Sequence, residues 1–166
     1  MLDRLKRGGT AGIIAGFAVA VVVLLHDLLA RKPFSTPRVL GRNVLGAPVD
    51  GEAGGPAALD WIARTLIAGW ELVAWSAVHF AAFALFGVLG AWVFRPGRLA
   101  GNVLSGALFG LVVGSAMFYA GLWLVAPSFV AAPDWRLVAA MNALAGVVVV
   151  SQLVDPPGEG SPAEPS

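Results

Sequence analysis

The chain has 166 residues, of which 58% are hydrophobic and 13% charged, with a formal net charge of +1. A water-soluble domain of this length carries roughly twice that share of charge. With no cysteine in the sequence, disulfide scaffolds and cysteine-ligated metal sites are excluded, and the near-neutral charge gives no basis for nucleic-acid binding.

The apolar residues fall into four runs, each near the roughly 20 residues that cross a bilayer core about 30 Å thick. Arg4, Lys6 and Arg7 precede the first, residues 11–30. It runs on into Arg31-Lys32-Pro33 without a small-residue cleavage site, so it reads as a span and not as a signal peptide. Gly8, Gly12, Gly16 and Ala20 form a small-residue stripe at four-residue spacing. Such a stripe lets two helix backbones approach closely in lipid. His26 and Asp27 lie near the end of this span.

The long loop, residues 31–60, is rich in proline and glycine. One part of it fits a short helix, with Thr36 as N-cap, Pro37 at the first helical position and Gly46 as the stop. Arg38 and Arg42 would share one face, with Leu40 and Val44 opposite, a pattern that suits a helix lying on a membrane or a partner. A turn-rich loop is the competing reading.

A helix from Leu59 to Phe94 would be about 54 Å long, more than one perpendicular span requires. The expected solution is a surface or protruding part near Asp60 to Gly69, with Asp60 as N-cap, feeding a span over residues 70–94. Glu71, Trp75 and His79 make one stripe on it. Arg95-Pro96-Gly97-Arg98 is a tight turn into a third span, residues 99–126, which carries Gly106, Gly110 and Gly114 at the same spacing. The expected packing pairs the glycine ladders of spans one and three. The fourth span, residues 135–154, has Asn142 and Gly146 at mid-depth, Asn142 as an interhelical hydrogen-bonding residue. No proline interrupts any span, so none is visibly broken. The tail, residues 155–166, reads as flexible. A weak internal repeat places Gly12 on Gly106, Arg4 on Arg98 and Pro33 on Pro127, as two hairpins of the same orientation.

Five basic residues flank the spans on the terminal side and six on the loop side, so the positive-inside rule barely separates them. The first cluster and the Arg-rich turn favour cytoplasmic termini. Trp61, Trp70, Trp75, Trp123 and Trp135 map to the loop side, and Trp92 to the other.

Ionisable residues within spans are functional hypotheses by default. His26 and His79 are candidates for a bis-histidine haem site, or His79 for a quinone site with Asp27 or Glu71 as proton partner. The plainer expectation is a buried polar cluster of Asp27, Glu71 and His79 with structural roles, Asp27 pairing with Arg31, and no cofactor or metal. The sequence carries no protease, phosphate-loop or HExxH motif.

The stretch Asp27-Leu28, then Pro33-Phe34, Thr36-Pro37 and Leu40-Gly41, followed in span two by His79-Phe80, resembles uncharacterised small four-span bacterial membrane proteins. That resemblance covers about half the chain and brings no assigned activity. It implies that these residues act as a unit, with Arg38 and Arg42 in the same segment, the loop folding over the end of the bundle above Asp27 and His79. The expectation is an all-α polytopic protein of four transmembrane helices in an antiparallel bundle, in the bacterial inner membrane. Its expected role is a non-catalytic accessory subunit that contacts lipid and other membrane subunits, by analogy a respiratory or photosynthetic one. The alternatives are a haem- or quinone-binding electron- or proton-transfer protein, and a small transporter or channel.

Overall fold

The computed structural model describes residues 1–45, 57–94, 103–125, 127 and 133–154, without the side chains of 57–63 and 125. The described residues are helical, in the order α1 (Leu2–Leu29), α2 (Ser35–Leu45), α3 (Ala57–Val93), α4 (Val103–Phe109), a π-helical turn (Gly110–Gly114), α5 (Ser115–Val125) and α6 (Trp135–Leu153). Four helical stretches are long and apolar enough to cross a membrane: Leu2–Leu29, Arg64–Val93, Val103–Leu124 and Trp135–Leu153. Most large apolar side chains along them are outward and exposed, among them Phe17, Val73, Leu85 and Val112, as expected where the solvent is hydrocarbon. The Gly46 stop and the 155–166 tail lie outside the described residues.

The glycine ladders pack within the chain, but on partners other than the expected ones. Gly8 lies against Gly87 and Val88 of α3, Gly12 against Phe83 and Ala84, and Gly16 against Phe80 and Phe83. Gly106 lies against Gly146 and Val147 of α6, Gly110 against Asn142, and Gly114 against the Asn142 side chain. Span one therefore pairs with span two, and span three with span four. Each ladder finds its counterpart in one glycine, Gly87 or Gly146, which no ladder pattern marks in the sequence.

These two seats are the same construction used twice. A side chain on Gly87 would run into the backbone of Gly8 and Gly12, and one on Gly146 into that of Gly106 and Gly110. Gly8, Gly12 and Gly16 thus correspond to Gly106, Gly110 and Gly114. The repeat exists in register one helical turn away from the alignment that places Gly12 on Gly106. The two pairs meet where α1 packs on α6. Ala15 and Val19 share a core there with Ala145, Val149 and Val150. α3 and α4 stand further apart and meet through aromatic rings, Phe86 stacked on Phe109 at 4.8 Å and Phe94 edge-on to Phe109 at 5.3 Å.

Two boundaries differ from expectation. α3 is one unbroken helix that starts at Ala57, so Asp60 lies inside it and is not its N-cap. Span three, although free of proline, is interrupted by the π turn at Gly110–Gly114. A π turn inserts an extra residue per turn and redirects the helix that follows. α4 and the π turn lie along α6, whereas α5 barely touches it. Instead Leu122, with Phe118 and Tyr119, packs on Leu40 of α2 and Trp75 of α3. The bundle is therefore tight at the Gly87–Gly146 end and splayed at the α2 end.

Gly87→Ala and Gly146→Ala are expected to destabilise by about 1–3 kcal/mol each, because the added methyl meets backbone that cannot rotate away. Gly9→Ala, where a Cβ meets nothing within 4 Å, should leave stability near that of the native chain. Thermal unfolding of the three variants in one detergent separates the cases.

Candidate functional site

The link from α1 to α2 is built from two tight turns. α1 ends in a Schellman motif, with Arg31 N–H donating to Leu28 O at 2.9 Å and Lys32 N–H to Asp27 O at 2.9 Å. Arg31 holds the left-handed position at φ 56 that glycine usually takes. Ser35 N–H then donates to Lys32 O at 3.1 Å, closing a β-turn with Pro33 at its second position and Phe34, φ 62, at its third. That is the type II pattern, again with a bulky residue where glycine is favoured. Non-glycine residues held at positive φ cost of order 1–3 kcal/mol and persist where the surroundings over-determine them.

α2 starts earlier than expected. Phe34 is its N-cap by backbone pattern, since Arg38 N–H donates to Phe34 O at 3.2 Å, and Thr36 lies in the first turn. The capping group comes from another helix. Asp27 of α1, 1% exposed, accepts the Thr36 N–H at 2.8 Å and the Thr36 hydroxyl at 2.7 Å. Its carboxylate thereby satisfies an orphan N–H at the positive end of α2. Asp27 thus bonds Thr36, where Arg31 was the expected partner; His26 Nδ1 lies 3.5 Å from it. Pro37, within the first turn, gives up no hydrogen bond.

One turn on, α2 rests on α3. Gly41 sits directly against the Glu71 backbone, where a Cβ would collide. The Glu71 side chain is 0% exposed, and its two oxygens are divided between two arginines. Arg42 Nε donates to Oε1 at 2.8 Å and Arg38 Nε to Oε2 at 3.2 Å. The arginines themselves are part-exposed. The stretch from Glu71 to Val93 rises about 33 Å, close to the hydrocarbon thickness. α2 therefore packs about one hydrocarbon thickness from the Val93 end of α3, with its arginine stems reaching the exposed surface.

The expected polar cluster is three separate contacts. Asp27 holds the start of α2 and Glu71 its middle. His79, two helical turns deeper on α3, donates from Nε2 to the Gly16 carbonyl at 3.0 Å. Its ring packs among Trp75, Phe80 and Phe83, and Phe80 meets Phe17 at a tilt, centroids 4.6 Å apart. His26 and His79 are not brought together. His79 meets α1 at Gly16, ten residues from His26, or about 15 Å along the axis. Two imidazoles so placed do not ligate one iron. Asn142 donates to the Ser115 hydroxyl at 3.2 Å, at the exit of the π turn.

Beneath α2 is a cavity of about 740 Å³, walled by α1, α3, α5 and α6. Phe34, Thr36, Pro37 and Leu40 form its roof, and Phe86, Met141 and Asn142 its floor. The lining is overwhelmingly apolar. Neither the cavity nor the Arg38–Glu71–Arg42 fork is foreseen in the sequence reading. The fork carries a readable signal, two arginines one turn apart opposite a lone intramembrane glutamate. The cavity carries none, because it results from the π turn. Among the described residues no group of three or more histidine or acidic side chains is placed to hold a metal ion. In comparisons with known proteins, no family model, no curated protein and no solved structure matches the chain.

Replacing both Arg38 and Arg42 with Ala is expected to cost about 3–5 kcal/mol, because a buried carboxylate loses its counter-charges. Glu71→Gln should cost less, since the part-exposed arginines regain water. Both should raise amide hydrogen exchange across residues 35–45 before it rises elsewhere.

Proposed function

We propose that the chain is a non-catalytic accessory subunit of a larger bacterial membrane complex. In this reading it is multi-pass in the inner membrane, with an antiparallel bundle and cytoplasmic termini. The observation that carries it is the use made of the intramembrane ionisable groups. Asp27, Glu71 and His79, the groups most able to do chemistry, each hold one element to another. Groups committed to such contacts fix a shape and are poorly placed to shuttle protons.

The shape they fix is a short helix at the membrane surface. α2 leaves Phe34, Val39 and Leu45 about half exposed, while its other faces are consumed by Asp27, Glu71 and Leu122. Apolar residues on a rigid surface helix suit a partner subunit or the headgroup layer. The resemblance to small four-span proteins falls on this assembly, with Pro33 in the turn, Thr36 on Asp27, Leu40 on Leu122 and Gly41 on Glu71. A respiratory or photosynthetic complex is the nearest analogy for a small glycine-rich subunit of this kind.

The full chain extracted in mild detergent should bring down membrane partners in fixed stoichiometry. Val39→Asp with Leu45→Asp should release them while the helical content and unfolding temperature are retained. A monodisperse chain without partners under those conditions would count against the reading. A cofactor-carrying protein is the second reading, supported by His79 bordering the cavity; an oxidised-minus-reduced absorption spectrum of the purified protein tests it.

A further inference from the structure

The cavity under α2 has a shape, a depth and a rim that together specify an occupant. We propose that it binds one acyl chain of an anionic phospholipid, whose phosphate rests on Arg31 and Lys32.

Depth comes first. On α1 the lining runs from Phe17 to Asp27, on α3 from Leu72 to Phe86, and at the start of α6 from Asp134 to Asn142. Those stretches rise about 12–21 Å, from one leaflet to two-thirds of the hydrocarbon thickness. A lipid standing in the leaflet on the α2 side has its chain in the same depth interval. The volume of about 740 Å³ falls within the roughly 300–1,000 Å³ of pockets that enclose a discrete ligand. Walls of Val19, Val23, Leu72, Phe83, Met117 and Leu137 offer a chain dispersion contacts and few hydrogen bonds. Water would gain little in such a space.

The turn between the lining residues Asp27 and Phe34 supplies the charge. Asp27 is occupied by Thr36, and Glu71 by Arg38 and Arg42. Across the mouth, Asp134 caps α6 by accepting the Arg136 N–H at 2.9 Å. Arg31 and Lys32 stand exposed in the turn that joins His26 and Asp27 to the Phe34–Thr36 roof. Basic residues at the headgroup level attract anionic lipid. The backbone agrees. Arg31 and Phe34 occupy the two left-handed positions of the link, where glycine would relax the turn. The side chains kept there at that cost are an exposed cation in the turn beside the mouth and a lining aromatic.

Gly121 makes the proposal testable. It lines the cavity, and a Cβ built on it meets nothing within 4 Å, so a side chain there starts in open space. The full chain is reconstituted in nanodiscs of phosphatidylcholine with phosphatidylglycerol, re-extracted in mild detergent and delipidated, and bound phospholipid is counted by native mass spectrometry. The native chain should retain about one phospholipid, enriched about tenfold in phosphatidylglycerol. Gly121→Phe should cut retention about tenfold with the unfolding temperature unchanged. Ser76→Leu, from the α3 wall of the cavity, is the second variant should Gly121→Phe fail to fold. Arg31→Gln with Lys32→Gln should keep a lipid bound but abolish the preference for phosphatidylglycerol. Retention of no phospholipid, retention undiminished in a folded cavity-filling variant, or an anionic preference that survives loss of both cations would overturn the proposal. So would a quinone or a polypeptide found in place of the lipid. Partner binding through Val39 and Leu45 is measured separately, so either reading can fail alone.

Discussion

A carboxylate at the edge of a hydrocarbon layer is costly unless its charge is answered, and Glu71 is answered twice. Its two oxygens are divided between Arg38 and Arg42, and the arrangement depends on Gly41, which lets the α2 backbone come down onto the Glu71 backbone. Any side chain at Gly41 would lift the helix and lengthen both ion pairs. Buried ion pairs often contribute little net stability, because desolvation offsets the attraction. Their effect here is on position. A short helix with one apolar face could rotate or slide on a bundle top, but two charges one turn apart on a single buried partner leave it one register. Asp27, bonded to the Thr36 N–H and hydroxyl, fixes the end as well.

A fixed α2 changes what the splayed end of the bundle is. Without a roof, the gap between α5 and α6 would be an open groove continuous with lipid. With Leu40 packed on Leu122 and Trp75, it becomes a roofed cavity that stays open at the side, where Phe17 and Val21 are exposed. The π turn supplies the other half of this geometry. Gly110 packs so closely on Asn142 that the π turn and α6 are joined there, and the extra residue in the turn lets α5 leave on a new course. Asn142 also bonds Ser115, the first residue of α5, so the point of departure is held by a hydrogen bond worth more than its mean value in an apolar setting.

The sequence carries the spans clearly, because length and hydropathy are one-dimensional quantities. Four apolar runs become four long helical stretches, although α1 begins nine residues before its run and α3 thirteen before the expected span. α2 is legible as an amphipathic segment with Arg38 and Arg42 on one face. Pairing is less legible. The ladders Gly8–Gly16 and Gly106–Gly114 announce close contact but not with what, since a single glycine on the partner, Gly87 or Gly146, is enough to receive each. Local grammar misleads at the start of α2, where Thr36 and Pro37 look like a cap and first residue. Asp27 supplies the cap from nine residues away, and the helix begins earlier. The positive φ values of Arg31 and Phe34 are invisible for the opposite reason, as glycine is what marks such turns and it is absent.

The doubled glycine seat shows where the two halves of the molecule part company. Gly8, Gly12 and Gly87 are matched by Gly106, Gly110 and Gly146, so at that end the two helix pairs seat their glycines in the same way, although Gly110 opens the π turn and Gly12 lies in a regular helix. In that register Phe83 corresponds to Asn142, and His79 to Val138. The first pair carries an aromatic cluster around a histidine bonded to Gly16; the second carries a polar residue bonded across to Ser115 and no histidine. Beyond those positions the correspondence lapses, because the first pair is bridged by α2 and the second contains the π turn. One half supplies a roof and the other opens a space beneath it. The cavity opens where two copies of one construction stop being copies, and its lining runs from the matched positions Phe83 and Asn142 into the divergent end.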